Sequence, residues 1–327
     1  MADELRYTNP PQRVYKSAPV ALELGQLAAA LTELGLGVPV TMTELPGGGA
    51  RSFRVDRVGD EPLVLKVYND SLPYSTEKET YAGALLGLLD VPRTRFLAAD
   101  ESRALLPFRF TIANYLPGER VALFRDAPDV VDVYRQMGAM LRKLHSVSVP
   151  SYGDFGEGGL VNAVSTNTAY VDRFFAYGFD RFRHYGGDEV LAQRLEAIVA
   201  AHAEVIAHSR GAVFAHDDFH PNNVLAERDA EGRLQLTGLL DFGNARASDP
   251  ICDLFCSEHQ AAGSAAPIRE GYGPIDHPDP DLAIWIYLLL HRVVMWWWLR
   301  HVDVIHAGEH HPLMDDLARM AEEGGAR

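Results

Sequence analysis

Asp218 and Asn223 stand five residues apart in the segment His216-Asp-Asp-Phe-His-Pro-Asn-Asn223. Asp241 follows in Leu240-Asp-Phe-Gly243, after two strand-like stretches, Asn223–Glu227 and Leu234–Leu240, joined by the polar turn Arg228–Arg233. Phosphoryl transfer needs such a set. A carboxylate orients an attacking hydroxyl and accepts its proton, and oxygen ligands hold magnesium against the phosphates. The spacing Asp-x-x-x-x-Asn across a loop bent by Pro221 makes Asp218 the base and Asn223 and Asp241 the Mg2+ ligands. Asp-Phe-Gly occurs by chance. Both motifs together, with a hairpin between them, are a far stronger signal.

The residues ahead of this segment supply a grip for a nucleotide. Lys66 lies inside the apolar run Leu63-Val-Leu-Lys-Val-Tyr68. Alternation along a strand also permits a solvent-facing lysine; the functional reading is a lysine on the phosphates, steadied by a carboxylate of the next helix. Glu77 and Glu79 both occupy that helix but cannot share a face. Glu79 is preferred because it aligns with Ala82, Gly83 and Leu86. The loop Pro46-Gly-Gly-Gly-Ala-Arg-Ser52-Phe is expected to cover phosphates with backbone amides, chiefly around Gly48, Gly49 and Ser52. A plain hairpin turn is the alternative, since the loop is neither Gly-x-Gly-x-x-Gly nor a Walker loop.

The elements that must position these groups change character along the chain. A helix over 19–35 precedes three strand-like runs, Val38–Leu45, Ser52–Val58 and Leu63–Tyr68. A helix begins at Ser75, a plausible cap, and runs to Leu89. Phe96–Ala99 and Phe108–Tyr115 read as strands, and Leu116-Pro-Gly-Glu119 breaks the chain. Beyond it the pattern is mostly helical, over 129–147, 168–184 and 188–208, with glycines punctuating 153–159. Sheet first and helices later make a two-lobed α+β chain. The tail, Glu322–Arg327, reads as loose.

The 327 residues carry 30 Lys plus Arg against 45 Asp plus Glu, a net charge of −15. That argues against a nucleic-acid surface and suits a cationic partner. Two cysteines, Cys252 and Cys256, make no disulfide framework, and the start lacks the apolar core of a signal peptide, so a cytoplasmic location is expected. Leu282–Leu299 is apolar enough to be weighed as a membrane span, but His291 and Arg292 at its centre favour a core helix.

Taken together, these motifs resemble the aminoglycoside phosphotransferase family, the kinase-fold group that also includes choline and homoserine kinase relatives. The family pattern His-Gly-Asp-x-His-x-x-Asn, Ile-Asp-Trp/Phe-Gly/Ser, Gly-Asp-Pro-x-x-Asp-Leu stands here as His216–Asn223, Leu240–Gly243 and Ser248–Leu254. The likeness runs from about 40 to 260. It implies a bilobal protein-kinase-like fold, with a small antiparallel-sheet N-lobe at 1–113, a hinge at 114–119 and a mostly helical C-lobe at 120–327. It also implies that the hinge backbone around Asn114 and Tyr115 binds adenine, and that ATP, with GTP as an alternative, is the donor. Two departures stand out. Asp217 replaces a Gly beside the base, where its charge either raises the Asp218 pKa or faces solvent harmlessly. Asn222 replaces another Gly and is a rival metal ligand.

The motifs do not specify the acceptor. Glu258, Glu270, Asp276 and Asp279 gather in a loop-rich stretch against the lone Arg269. They suggest a small-molecule hydroxyl acceptor with cationic groups, an aminoglycoside-like antibiotic, or else a solvated acidic loop. The runner-up acceptor is a small metabolite, an amino alcohol or sugar. A non-catalytic nucleotide-binding module of the same fold would be expected to have lost Lys66, Asp218, Asn223 or Asp241, and all four are present. Asp249 and Asp253 read as structural carboxylates, and His216 as a structural imidazole bonded to backbone near Asp241. A protein kinase is disfavoured because Asp249 follows Asp241 too soon for a long activation loop.

Overall fold

The structure, a computed structural model, describes residues 20–46, 50–70, 75–258 and 263–325. Helix α1 (Leu24–Glu33) lies against an antiparallel sheet made by β1 (Pro39–Leu45), β2 (Arg51–Arg57), β3 (Leu63–Val67), β4 (Phe96–Asp100) and β5 (Phe110–Asn114), in the order β1-β2-β3-β5-β4. Alternation decides what each face does. Leu63, Leu65 and Val67 of β3 are buried with Leu27 and Leu31 of α1, so Lys66 is turned to the other face. There it meets α2 (Thr76–Leu85), inserted between β3 and β4. The Ser75 hydroxyl caps α2 by accepting from the Lys78 N–H at 3.3 Å.

Past β5 the chain turns at Gly118, whose φ of +98° and approach to the Ala226 carbonyl leave no room for a side chain. The strand β6 (Glu119–Arg120) joins the hairpin of β10 (Val224–Arg228) and β11 (Leu234–Leu239) in the order β11-β10-β6. Helix α3 (Val130–Leu144) packs on β11, and the helical body continues with α4 (Asn167–His184), α5 (Glu189–Ala201), α6 (Ala203–Ala207), α7 (Ala265–Tyr272), which lies on α3, α8 (Pro280–His301), which lies on α4, and α9 (Pro312–Gly324), which lies on α5 and α8. Ala82 of α2 and Leu86 at its C-terminal cap join their core.

Three features differ from the sequence reading. The glycine-punctuated stretch is a hairpin, β7 (Tyr152–Gly156) with β8 (Gly159–Val164), extended by β12 (Arg246–Ser248) and β9 (Val213–Ala215) in the order β8-β7-β12-β9. Gly153 serves close approach there, since a Cβ would stand 3.0 Å from the Val161 carbonyl. The helix read over 188–208 breaks at His202 into α5 and α6. The tail is not loose at its start: Glu322–Gly324 close α9, and Gly324 abuts Ile198 and Trp285.

Helix α8 is long and apolar enough to cross a membrane, but 67% of its most apolar window is buried inside the fold. Arg292 in its middle is fully buried, with Asp316 of α9 at 3.6 Å. A buried pair of this kind is tolerated when satisfied and costly when broken.

Helices α3 and α7 cross at paired glycines. A Cβ on Gly138 would lie 2.0 Å from the Ile268 carbonyl, and one on Gly271 would lie 1.9 Å from the Arg135 carbonyl. No rotamer relieves a clash with backbone, so Gly271→Ala must push the helices apart. The expected loss is at least the roughly 1–3 kcal/mol typical of overpacking, read as a drop in Tm. Gly25, in α1 with nothing within 4 Å of its Cβ position, is the control: Gly25→Ala should leave Tm unchanged or raise it.

Candidate active site

Asp253 organises the loop that carries Asp218. It is 1% exposed, on the 3-10 segment Pro250–Glu258. Its Oδ2 accepts from the His216 N–H at 2.8 Å and its Oδ1 from the Asp217 N–H at 2.6 Å. His145, at the end of α3, lies with Nε2 at 3.0 Å from Oδ2, while its Nδ1 is 2.9 Å from the Tyr272 hydroxyl. Since the carboxylate only accepts, the network assigns the proton to Nε2 and makes Tyr272 the donor to Nδ1. The structural role read for Asp253 thus has a definite form: it holds two successive loop amides. Asp249 turns its own segment, accepting from the Ile251 N–H at 2.8 Å.

With the loop so held, Asp218 is flanked on both oxygens. His220 Nε2 stands 3.0 Å from Oδ1, and Asn223 Nδ2 donates to Oδ2 at 2.8 Å. His220 Nδ1 accepts from the Asn222 N–H at 3.2 Å, which leaves Nε2 as the donor to Asp218. Burial opposes the Asp218 charge, but His220, His216 and the Asn223 amide outweigh it and hold the pKa down at about 2. Asn222 therefore meets His220 through its backbone. His216 donates from Nε2 to the Leu240 carbonyl at 2.9 Å, tying the loop to the residue before Asp241. Asp241 has a φ of +60° and a half-exposed carboxylate.

Lys66 reaches across from the sheet to this loop. Its Nζ donates to Glu79 Oε1 at 2.7 Å and to Asp241 Oδ1 at 3.0 Å. Burial disfavours the ammonium, but Asp241 and Glu79 carry its pKa well above the ordinary lysine value. Glu79 is buried, whereas Glu77 is exposed. Ser52 pairs with Lys66 in the β2–β3 register. Asn114 accepts from the Arg95 N–H at 2.6 Å, and the Tyr115 N–H donates to the Pro62 carbonyl at 3.2 Å. That amide is engaged within the fold, and the Tyr115 ring lies under the Arg54 guanidinium at 4.6 Å. Gly48, Gly49 and the side chain of Glu258 lie outside what the structure describes.

Three of the four acids expected around the acceptor have partners of their own. Glu270 pairs with Arg135 at 2.8 Å and Asp276 with Arg210 at 2.7 Å. Asp279 caps α8, accepting from the Leu282 N–H at 3.0 Å. The sequence reading gave each of them a free charge; the structure gives each a local partner.

Asp217 neither raises the Asp218 pKa nor faces solvent. It adopts φ +58° in the left-handed region and pairs with Arg246 at 2.7 Å. Burial, aided by Asp253 and Asp218, pushes its own pKa up to about 7 against the pull of Arg246 and Lys78. Arg246 escapes the sequence reading, and His220 has no decided role in it. The signal for His220 was its place inside the quoted motif, and for Arg246 it was only that a buried Asp217 requires a cation.

The donor set suits a hard divalent cation. Asn223 spends its NH2 group on Asp218, to both the backbone and carboxylate oxygens, which leaves its carbonyl oxygen for a metal. Asp241 gives Oδ1 to Lys66 and retains Oδ2. Among the described residues no group of three or more His, Cys, Asp and Glu forms a metal cage.

A family model described as the phosphotransferase enzyme family matches residues 41–278. No curated protein matches the chain by sequence. Among solved structures, a Ralstonia eutropha JMP134 protein assigned as an aminoglycoside phosphotransferase superposes with a TM-score of 0.66 at 16% identity, covering 93% of this chain and 97% of that one. A Thermobifida fusca YX-ER1 protein assigned as a fructosamine-3-kinase gives 0.65 at 17%, covering 91% and 98%. A thermostable mutant of aminoglycoside phosphotransferase APH(4)-Ia, in ternary complex with ADP and hygromycin B, gives 0.63 at 18%, covering 90% and 95%. At these identities the likeness is one of fold: a small antiparallel-sheet lobe with a mostly helical one, the kinase-like arrangement.

Asp217→Gly sets two terms against each other. Relief of the left-handed backbone returns about 1 kcal/mol, whereas leaving Arg246 without its partner costs about 3 kcal/mol or more. The variant should be net destabilised by roughly 2 kcal/mol on those figures, read as a lower Tm. Asp217→Asn, which tolerates the left-handed region and keeps a hydrogen-bond acceptor, should lose less.

Proposed function

The chain belongs to the phosphotransferase enzyme family, and on that footing we propose an ATP-dependent, Mg2+-dependent O-phosphotransferase that moves the γ-phosphate to a hydroxyl of a small molecule. The observation that carries the reading is Lys66, which bridges Glu79 and Asp241 beside the Asp218–Asn223 pair. Five residues from four stretches of the chain thereby meet in one place.

The part of the chain up to residue 113 grips the nucleotide, 114–119 is the hinge beside the base, and 120–327 supplies catalysis and the acceptor site. Lys66, fixed by Glu79, contacts the phosphates, and amides near Ser52 cover them. Asn223 and Asp241 hold Mg2+, which when bound neutralises charge on the phosphate oxygens. The ADP in one structural neighbour supports a nucleotide donor.

Asp218 orients the acceptor hydroxyl. With a pKa near 2 it is a weak base, which suits a loose transition state in which positioning matters more than early deprotonation. The acceptor oxygen bonds to the γ-phosphorus as the bond to the β–γ bridging oxygen breaks. That electron pair leaves with ADP, and the hydroxyl proton passes to Asp218.

Asp218→Ala should lower kcat by about 100-fold or more, within the 10²–10⁴ typical of general-base removal, while nucleotide affinity is kept. Lys66→Met should instead weaken nucleotide binding. Acceptor-dependent ADP release and fluorescent-nucleotide titration measure the two effects, and a fully active Asp218→Ala enzyme would sink the assignment.

A further inference from the structure

A cavity opens beside Asp217, the neighbour of Asp218 in the chain. Helix α4 lines it with Tyr170 and Phe174, α8 with Leu290, His291 and Val294, and Phe255 of the 3-10 segment completes the wall. Phe174, Leu290 and Val294 are only half-buried, although the helices carrying them turn their other apolar faces into the core. A wall of rings and aliphatic groups with a few polar points is the usual make-up of a small-molecule pocket.

The electrostatics of the lining are close to neutral. Among the described residues its one carboxylate is Asp217, already paired with Arg246, and that guanidinium also lies over the Phe174 ring at 4.6 Å. Burial and Arg292 push the His291 pKa down to about 3, so the imidazole is uncharged at neutral pH. Asp217, which lines this wall, is the chain neighbour of Asp218, the residue that orients the hydroxyl, and Asp218 lies within electrostatic reach of His291. A polycation would need several unpaired carboxylates here. Of the four acids expected at the acceptor, Glu270, Asp276 and Asp279 are not part of the lining and are engaged elsewhere, and the Glu258 side chain lies outside the described residues.

We propose that this cavity is the acceptor site and that the acceptor is an uncharged, ring-bearing alcohol with a largely apolar body rather than a polycationic amino sugar. The inference rests on the phosphotransferase reading above and adds to it the substrate class. Tyr170, Phe174 and His291 stack on the rings, Leu290 and Val294 set the shape, and the reacting hydroxyl projects toward Asp218.

The test uses the full chain with Mg-ATP and measures acceptor-dependent ADP release. Neutral probes are salicin, 4-nitrophenyl β-D-glucoside and the macrolactone erythronolide B; cationic probes are kanamycin and hygromycin B. At least one neutral probe should show a kcat/KM at least tenfold above either cationic one. Val294→Glu, which adds a carboxylate to the wall, should cut kcat/KM for that neutral probe at least tenfold while leaving or raising that for kanamycin. Should the Glu variant fail to fold, Val294→Ala should raise KM for the neutral probe several-fold with a smaller change in kcat. Preferential turnover of the cationic probes overturns the proposal. So does a protein that no neutral probe stabilises against heat and from which none draws ADP release. Loss of Mg-dependent mant-ATP binding by the wild-type chain is a different failure: it would remove the phosphotransferase reading itself.

Discussion

One buried carboxylate, that of Asp253, sets the geometry on which the rest of the site depends. Taking such a group out of water is expensive, and it persists only if its lone pairs are filled. Here they are filled by the His216 and Asp217 amides and by His145. Charge-assisted bonds of this kind contribute about 1.5–3 kcal/mol each. The same bonds that offset desolvation therefore fix two consecutive loop residues. Asp218 comes next in the chain, so its position follows from the need to satisfy a neighbouring ion.

That constraint extends in both directions. Outward, His145 ties Asp253 to Tyr272, and Tyr272 is carried by a helix that lies against its partner through Gly138 and Gly271. Inward, His216 fastens the loop to Leu240, and Asp241 then meets Lys66 from the sheet. Packing of two helices, a chain of hydrogen bonds and a lysine between lobes thus form one connected structure. Apolar burial supplies most of its stability, and the polar chain specifies where the reactive groups sit.

Much of this arrangement was legible in the sequence because its signals are local. Asp218 and Asn223 lie on one short loop, Lys66 sits at a strand position whose alternation is plain, and Glu79 follows from helical phase. The hairpin β10–β11 announced itself by two apolar runs around a polar turn. What stayed hidden depends on contacts between distant segments. The sheet β8-β7-β12-β9 is built of strands of three to six residues, too short for a periodic signal, and beyond the β7–β8 hairpin they pair across long separations. The acids Glu270 and Asp276 looked available because nothing in their own neighbourhood reveals Arg135 and Arg210 folding back onto them. Arg246 has no motif at all, and only the coordinates show that it balances Asp217.

The burial of Arg292 against Asp316 also matters for how the polypeptide is made. The segment 280–301 emerges from the ribosome ahead of 312–324, so for a time the most apolar stretch of the nascent chain lacks the helix that will cover it. During that interval Arg292 is a cation at the centre of a sequence otherwise suited to lipid. An arginine so placed raises the cost of insertion through the translocon by about 2.5–3.5 kcal/mol. The residue that is locked by an ion pair in the finished enzyme thus also disfavours misrouting during biogenesis.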